Sequence, residues 1–492
     1  MGTIMVKNLT FSYDDNHMIF DNISFNIDTS WNLGLIGRNG RGKTTLLKLL
    51  MSEYEYSGKI ISPSNFVYFP YKIDNYNNNS YQILKSIYPS IEEWELDREV
   101  SYLNITSDTL ERPFKTLSNG EQNKVLLAIL FLNDNNFLLI DEPTNHLDYS
   151  TRDIIGNYLK KKHGFILVSH DRKLLDKCVD HILSINRNSI SVSQGNFSTW
   201  YLNKNRTDNY EINLNNKLKK EIKRLDESAK QSAMWANKVE KSKYNIPSDA
   251  LKDKGYIGHK SAKMMKRSLV SVEHKNKAIE EKSKLLRDIE VVEDISFNYE
   301  EYHSNKLFEV SHLSFKYDNR LILDNISFDI NLGDRVLISG INGSGKSTLI
   351  KLLIYDNMNY SGNIYKASNL KISYISQDTS YLNGSLDSFI KDNKLDETLF
   401  KTILVKLGIN KDDFNNNINE LSEGEKKKIL IAKSLSEKAS IYIWDEPLNY
   451  IDIYTRMQLE DAILSSNITM LFVEHDEIFA NKIANKIIRL NK

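Results

Sequence analysis

The sequence predicts an α/β protein in which one domain occurs twice, the two copies being joined by a long antiparallel α-helical hairpin. Three observations predict this. Motifs in residues 1–202 return in residues 303–492 at an offset that stays near 304. Within each copy, short apolar runs that read as buried strands alternate with helix-like runs. Between the copies, residues 203–302 lose that alternation and carry apolar or small positions at helical spacing instead.

Composition narrows the function classes. A length of 492 residues suits about three domains. Lys+Arg and Asp+Glu are both 65, so there is no global attraction to a polyanion, and any nucleic-acid contact must come from a local patch. The single cysteine, Cys178, excludes an intramolecular disulfide and argues against a thiolate metal cluster, which fits a reducing compartment. Met1 to Lys7 runs straight into a strand-like segment rather than reading as a signal peptide. No run of about 18 apolar residues occurs. A cytoplasmic protein without a membrane segment is expected.

The elements follow in order. Phe11-Ser12-Tyr13 and Asp21–Phe25 return as Phe315-Lys316-Tyr317 and Asp324–Phe328. Strand-like Asn32–Ile36 precedes Gly37-Arg38-Asn39-Gly40-Arg41-Gly42-Lys43-Thr44, and helix-like Thr45–Leu50 follows. Glycines there let backbone N–H groups turn toward phosphate oxygens, and the helix N-terminus adds favourable potential. Lys43 would reach the β- and γ-phosphates, and the Thr44 hydroxyl would bind Mg²⁺. Gly340, Asn342, Gly343, Gly345, Lys346, Ser347 and Thr348 repeat the pattern of Gly37, Asn39, Gly40, Gly42, Lys43, Thr44 and Thr45. Leu117-Ser118-Asn119-Gly120-Glu121 returns as Leu421-Ser422-Glu423-Gly424-Glu425. Phe137–Ile140 then runs into Asp141-Glu142, and Ile441–Trp444 into Asp445-Glu446. An apolar run ending in acid reads as a buried parallel strand whose C-terminal end opens onto a site. Asp141 and Asp445 would help hold Mg²⁺, while Glu142 and Glu446 would orient or deprotonate a water beside a phosphate. Ser169-His170-Asp171 and Glu474-His475-Asp476 close the repeat.

The middle segment shows two seams, Leu218 to Val239 and Ala262 to Leu286, interrupted by Pro247, Gly255 and Gly258. Arms of roughly 30 to 35 residues at about 1.5 Å per residue would project some 45–50 Å. From Ser228 to Val270 there are ten basic and three acidic residues, a local excess of seven in a neutral chain. Tyr244 and Tyr256 are interleaved with Lys243, Lys260, Lys263, Lys266 and Arg267. Cations for phosphates beside rings that stack on bases make an RNA-contacting surface the favoured reading; an acidic protein partner is the other.

These motifs together resemble the ATP-binding cassette family, over both halves. The resemblance implies that ATP is sandwiched twice, the Lys43 loop sharing its nucleotide with Ser422 and Gly424, and the Lys346 loop with Ser118 and Gly120. It also implies that His170 and His475 contact the γ-phosphate, that Tyr13 and Tyr317 stack on adenine, and that Gln377 joins the metal site. Two cassettes on one chain, a helical linker and the string Pro143-Thr144-Asn145-His146-Leu147-Asp148 are similar to the F subfamily. That likeness implies a chain working as a monomer, bound at the ribosomal exit-tRNA site of the 70S particle. Its linker would point toward the P-site tRNA, 23S rRNA and the peptidyl-transferase centre. Lys260–Arg267, and a Tyr71–Leu117 stretch about as long as Gln377–Leu421 and so without an inserted arm, resemble the antibiotic-resistance branch, especially Lsa- and Vga-like proteins. The expected activity is ATP hydrolysis coupled to ribosome protection against lincosamides, streptogramin A and pleuromutilins. The alternatives are a housekeeping factor for stalled ribosomes, an exporter ATPase subunit, and a DNA-repair ATPase. Departures from the pattern are Tyr71 where Gln377 stands in the second half, Asn119 and Glu423 for a glycine, and Glu474 before its histidine. They put equal hydrolysis at the two sites in doubt.

Overall fold

The computed structural model describes residues 2–242 and 294–490, except 14–17, 72, 74, 88, 90, 91, 133–135, 146, 187, 188, 319, 356 and 357. It also describes 259, 262, 263, 266, 267, 269, 270, 272–275, 277 and 278. The chain divides into two compact units. One comprises Met1–Trp200 with Val292–Lys492, the other Tyr201–Val291.

In the first half the strands are β1 (Thr3–Ser12), β2 (Met18–Asp28), β3 (Asn32–Ile36), β4 (Ser57–Ile61), β5 (Asn65–Phe69), β6 (Asn136–Asp141), β7 (Phe165–Val168), β8 (His181–Ile185) and β9 (Ile190–Gln194). In the second they are β10 (Lys306–Tyr317), β11 (Arg320–Asn331), β12 (Arg335–Ser339), β13 (Ser361–Lys366), β14 (Ile372–Ile375), β15 (Ile441–Asp445), β16 (Met470–Val473) and β17 (Lys486–Arg489). Each half pairs an antiparallel sheet, β2-β1-β4 or β11-β10-β13, with a larger sheet ordered β5-β6-β7-β3-β8-β9 or β14-β15-β16-β12-β17. The larger sheets are parallel except for the β8–β9 pair.

Burial on both faces explains the continuous apolar runs. Along β15, Ile441 and Ile443 enter one core cluster with β10, β12 and the helix Lys346–Ile354, while Tyr442 and Trp444 enter another with the helix Glu423–Ser436. Trp444 is fully buried and donates its Nε1–H to Ser434 Oγ at 2.9 Å, so its one polar atom is satisfied. Asp141 is in register with Val168 on β7, and β7 lies beside β3. The C-terminal ends of β3, β6 and β7 are therefore neighbours, which brings the phosphate loop, the paired carboxylates and His170 together.

The two halves meet through charged groups as well as motifs. Arg172 pairs with Glu460, with one contact at 3.3 Å, and lies 3.7 Å from Asp476 Oδ2; all three side chains are buried. Lys173 pairs with Glu477 across the halves, and Lys482, in the same half as Glu460, reaches it at 3.0 Å. Removing one member of such a buried set costs about 3–5 kcal/mol, although the intact set adds little net stability.

The helix Phe197–Ser242 has 46 residues, longer than the arm the seam alone suggests. It starts earlier because Phe197 and Trp200 are buried, and no Pro or Gly interrupts it before Ser242. Lys275 donates to Ser228 O at 3.2 Å and Ser228 Oγ at 2.8 Å, 47 positions away, as a returning helical arm requires. Much of the second seam and most of the Tyr244–His259 loop lie outside the described residues.

Candidate active site

The phosphate loops form as the spacing requires. Gly42 and Gly345 take left-handed backbone, φ 86° and 96°, just before helices Lys43–Leu50 and Lys346–Ile354. A Cβ there would come within 2.5 Å of Ile19 Cγ2 or 2.8 Å of Ile322 Cγ2. Gly40 and Gly343, also at positive φ, have nothing within 4 Å on the Cβ side, so open space lies there. Lys43 Nζ donates to the carbonyls of Gly37 (2.8 Å) and Arg38 (3.2 Å) and to Asn39 Oδ1 (3.4 Å). Lys346 Nζ donates to the carbonyls of Gly340 (2.9 Å) and Ile341 (3.1 Å). Burial lowers the pKa of both ammonium groups.

At the foot of each loop a hydroxyl meets a carboxylate. Thr44 Oγ1 donates to Asp141 Oδ2 at 2.8 Å, and the same oxygen accepts from Tyr68 OH at 2.9 Å. Ser347 bonds Asp445, whose Oδ1 is buried without a hydrogen-bond partner. Burial raises the pKa of both carboxyls. Hard hydroxyl and carboxylate oxygens, one of them unpartnered, fit a Mg²⁺ ion.

Glu142 and Glu446 both sit at left-handed backbone, φ 49° and 48°, which is unusual for a side chain of this size. Their N–H groups bond Val168 O and Val473 O, which holds each turn against its sheet. The surroundings differ. Glu446 Oε2 accepts from Gln377 Nε2 at 2.8 Å and Asn449 Nδ2 at 2.9 Å, and His475 Nε2 lies 3.2 Å from Oε1. Burial pushes this carboxyl up, but His475, Lys346 and Asn449 outweigh it and carry the pKa down to about 2. His170 Nε2 is 3.3 Å from Glu142 Oε1, too poorly aligned for a hydrogen bond, and that oxygen is left without one. Burial, aided by Asp141, pushes Glu142 up to about 8. Burial and Lys43 hold His170 well below the usual histidine range, so its imidazole is neutral.

Each loop faces the other half. Asn39 N–H reaches Asp452 Oδ2 at 3.4 Å and Asn39 Nδ2 donates to Tyr450 O at 2.6 Å. Gly424 abuts Asn39, since a Cβ there would lie 2.6 Å from Nδ2. On the other side Asn119, between Ser118 and Gly120, lines a cavity of about 420 Å³ with Asn342, Gly343, Gly345, Lys346, Ser347, Thr348, Gln377 and Glu446. Ser118 and Ser422 cap helices Asn119–Leu130 and Glu423–Ser436 through capping boxes with Glu121 and Glu425. Tyr13 and Tyr317 are half exposed and packed edge-on against Phe11 and Phe315; Tyr13 OH is 2.8 Å from Thr45 Oγ1. Lys263, Lys266 and Arg267 are exposed on helical backbone. Lys243, Tyr244, Tyr256 and Lys260 lie outside the described residues.

Sequence reasoning missed three features. Tyr68 on Asp141 lies on β5, three residues before Tyr71, and the repeat, which puts Tyr374 at the matching position, could have pointed to it. Lys428 Nζ pairs with buried Asp452 at 3.2 Å, and the repeat offset links that pair to Lys124 and Asp148. The Arg172–Glu460 contact has no signal in the repeat, because Glu477 and Gly156 stand at the matching positions.

Two phosphate loops, each with paired carboxylates and a histidine and each faced by a capped helix of the other half, define a duplicated phosphate-loop nucleotide hydrolase. The ABC transporter family model matches residues 20–145 and 323–449, and the chain belongs to that family. It is an ATPase. Similar curated proteins include the ATP-binding protein Uup of Buchnera aphidicola subsp. Acyrthosiphon pisum, 28% identical over 99% of this chain and 80% of the relative. The ribosome protection protein VmlR of Bacillus subtilis is 25% identical over 98% of this chain and 85% of its own length. Among solved structures, the RNase-L inhibitor superposes with a TM-score of 0.62 at 20% identity, covering 98% of this chain and 87% of that one, a likeness of fold. Among the described residues no helix is long and apolar enough to cross a membrane.

Proposed function

We propose that the chain is a cytoplasmic, monomeric F-type cassette ATPase that binds the 70S ribosome at the exit-tRNA site when ATP-loaded and leaves after hydrolysis. In this reading residues 1–202 and 303–492 are the cassettes and 203–302 the working arm. The observation that carries it is the arm itself: a 46-residue helix leads into a segment with seven excess positive charges in an otherwise neutral chain. A nucleotide hydrolase has no internal use for such a segment, whereas phosphate-rich RNA does. The name of VmlR supports the same direction. The arm's tip would contact P-site tRNA and 23S rRNA and free the peptidyl-transferase region of lincosamides, streptogramin A or pleuromutilins, as in Lsa- and Vga-like proteins.

Within each site, Lys43 or Lys346 binds the β- and γ-phosphates, and Tyr13 or Tyr317 stacks on adenine. Thr44 and Asp141, or Ser347, Asp445 and Gln377, would hold Mg²⁺, which when bound neutralises charge on the phosphates. Glu446, ionised and fixed by three neighbours, is ready to accept a proton from a water. Glu142, whose carboxyl burial pushes up to about 8, is largely protonated near neutral pH and accepts no proton until binding changes its surroundings, so the two sites are expected to turn over unequally. His170 and His475 hold the γ-phosphate side, and Ser118, Gly120, Ser422 and Gly424 complete the sites from across the interface.

Glu142→Gln with Glu446→Gln tests this reading. The expected result is ATPase activity at least about a hundredfold lower and ATP-dependent retention on 70S ribosomes in pull-downs. Wild-type turnover in the double variant would remove the assigned roles. Normal slow turnover without ribosome retention would remove the ribosome from the proposal and leave the site chemistry standing.

A further inference from the structure

Lys427 is a buried cation that none of the motifs uses. It lies on helix Glu423–Ser436, 2% exposed, five residues after Ser422. Its Nζ donates to Gln377 O at 2.8 Å, Ser376 O at 3.1 Å and Glu446 O at 3.3 Å. An ammonium has three protons, and these three carbonyls can take all of them. They belong to the loop after β14 and the turn after β15, the two segments that bear Gln377 and Glu446. The side chains of those residues are joined in turn, Gln377 Nε2 to Glu446 Oε2 at 2.8 Å.

Among the described residues the first half lacks this arrangement. At the position matching Lys427 stands Asn123, whose Nδ2 donates to the Pro143 carbonyl at 3.0 Å. At the position matching Gln377 stands Tyr71. The clamp and the glutamine it holds are thus present together in one half and missing together in the other. The next residue on the helix, Lys428, faces elsewhere: its Nζ pairs with Asp452, which accepts from the Asn39 backbone of the first phosphate loop.

We infer that Lys427 is a positioning residue for hydrolysis at the second site: by gathering the Ser376, Gln377 and Glu446 carbonyls it keeps the Gln377 amide on the Glu446 carboxylate. Burial of the ammonium opposes this and lowers its pKa, and the four nearby acids Glu474, Glu446, Asp445 and Glu423 offset only part of that cost. The same helix carries Gly424 and Lys428, and Ser422 caps it.

The inference rests on the roles proposed for the two glutamates, so the test uses the full chain carrying Glu142→Gln, in which only the second site turns over. Lys427→Met, of similar length without the charge, is expected to lower kcat about tenfold or more, with KM for ATP within about twofold. Lys427→Arg, which keeps donors and charge, recovers most of that loss. The deciding readout is a cycle with Gln377→Ala. If Lys427 acts through Gln377, the double variant is no slower than the slower single one. Multiplying losses, a kcat for Lys427→Met within twofold of its parent, or no recovery with arginine overturns the inference. So does a Glu142→Gln chain as inactive as the doubly substituted one, because the second site then does no work. Should Lys427→Met fail to fold, Lys427→Gln, which removes the charge but keeps a polar end, carries the same cycle with Gln377→Ala.

Discussion

At the scale of single residues, the two sites differ by a few buried groups whose electrostatics can be tested. Glu474 stands where the first half has Ser169. Its carboxylate accepts the Leu448 N–H at 2.9 Å and the His475 N–H at 3.2 Å, yet burial pushes its pKa up to about 7. A carboxyl with a raised folded pKa contributes stability that is fully present below its unfolded value, about 4.5, and is lost as pH rises through the folded one. The chain is therefore expected to lose melting temperature between about pH 5 and 7, and Glu474→Gln to flatten that slope. Equal slopes for the two proteins would show that Glu474 is already ionised at the lower end. The residues that were legible in advance, such as Lys43, Thr44, Asp141 and Glu142, are those whose chemistry dictates local spacing. Arg172 and Glu460 lie 288 positions apart and were not, because only docking of the halves decides that they meet.

At the scale of elements, the helices Asn119–Leu130 and Glu423–Ser436 share a cap and a length class but meet different surroundings. A Cβ on Gly424 would lie 2.6 Å from Asn39 Nδ2 and 2.7 Å from Tyr450 O, whereas one on Gly120 would meet Thr151 Cγ2 at 3.4 Å. Alanine suits a helix better than glycine by about 0.5–1 kcal/mol, so the helix itself gains in both variants. Overpacking against the first phosphate loop costs about 1–3 kcal/mol. Gly424→Ala should accordingly lower the melting temperature measured without added nucleotide, while Gly120→Ala should leave it unchanged or slightly raised. Equal shifts would mean that Asn39 yields freely. Strand β3 was readable to the residue, because an apolar run bounded by turn signals has little freedom. The helix Phe197–Ser242 was readable in kind but not in length: its first turn is fixed by burial of Phe197 and Trp200, which leaves no mark on the helical seam.

At the scale of the whole molecule, a neutral chain concentrates an excess of seven positive charges between Ser228 and Val270, so the RNA binding proposed above should depend on that segment more than on the cassettes. Replacing Lys263, Lys266 and Arg267 with Gln should weaken 70S binding and make its salt dependence shallower, by roughly one unit of log–log slope per lost phosphate contact. An unchanged slope would assign those side chains a steric or protein-directed role. The interlocked arrangement of the halves also bears on inheritance and damage. Asn39 of the first cassette lies on Gly424 and Asp452 of the second, and Asn119 faces the second phosphate loop. A chain cut by a stop codon anywhere between residues 203 and 302 would keep one phosphate loop and one capped helix, but the helix belongs to the site that was lost. Such a fragment could finish a site only by meeting another copy of itself. Its loop would then face Asn119 and Lys124 in place of Glu423 and Lys428.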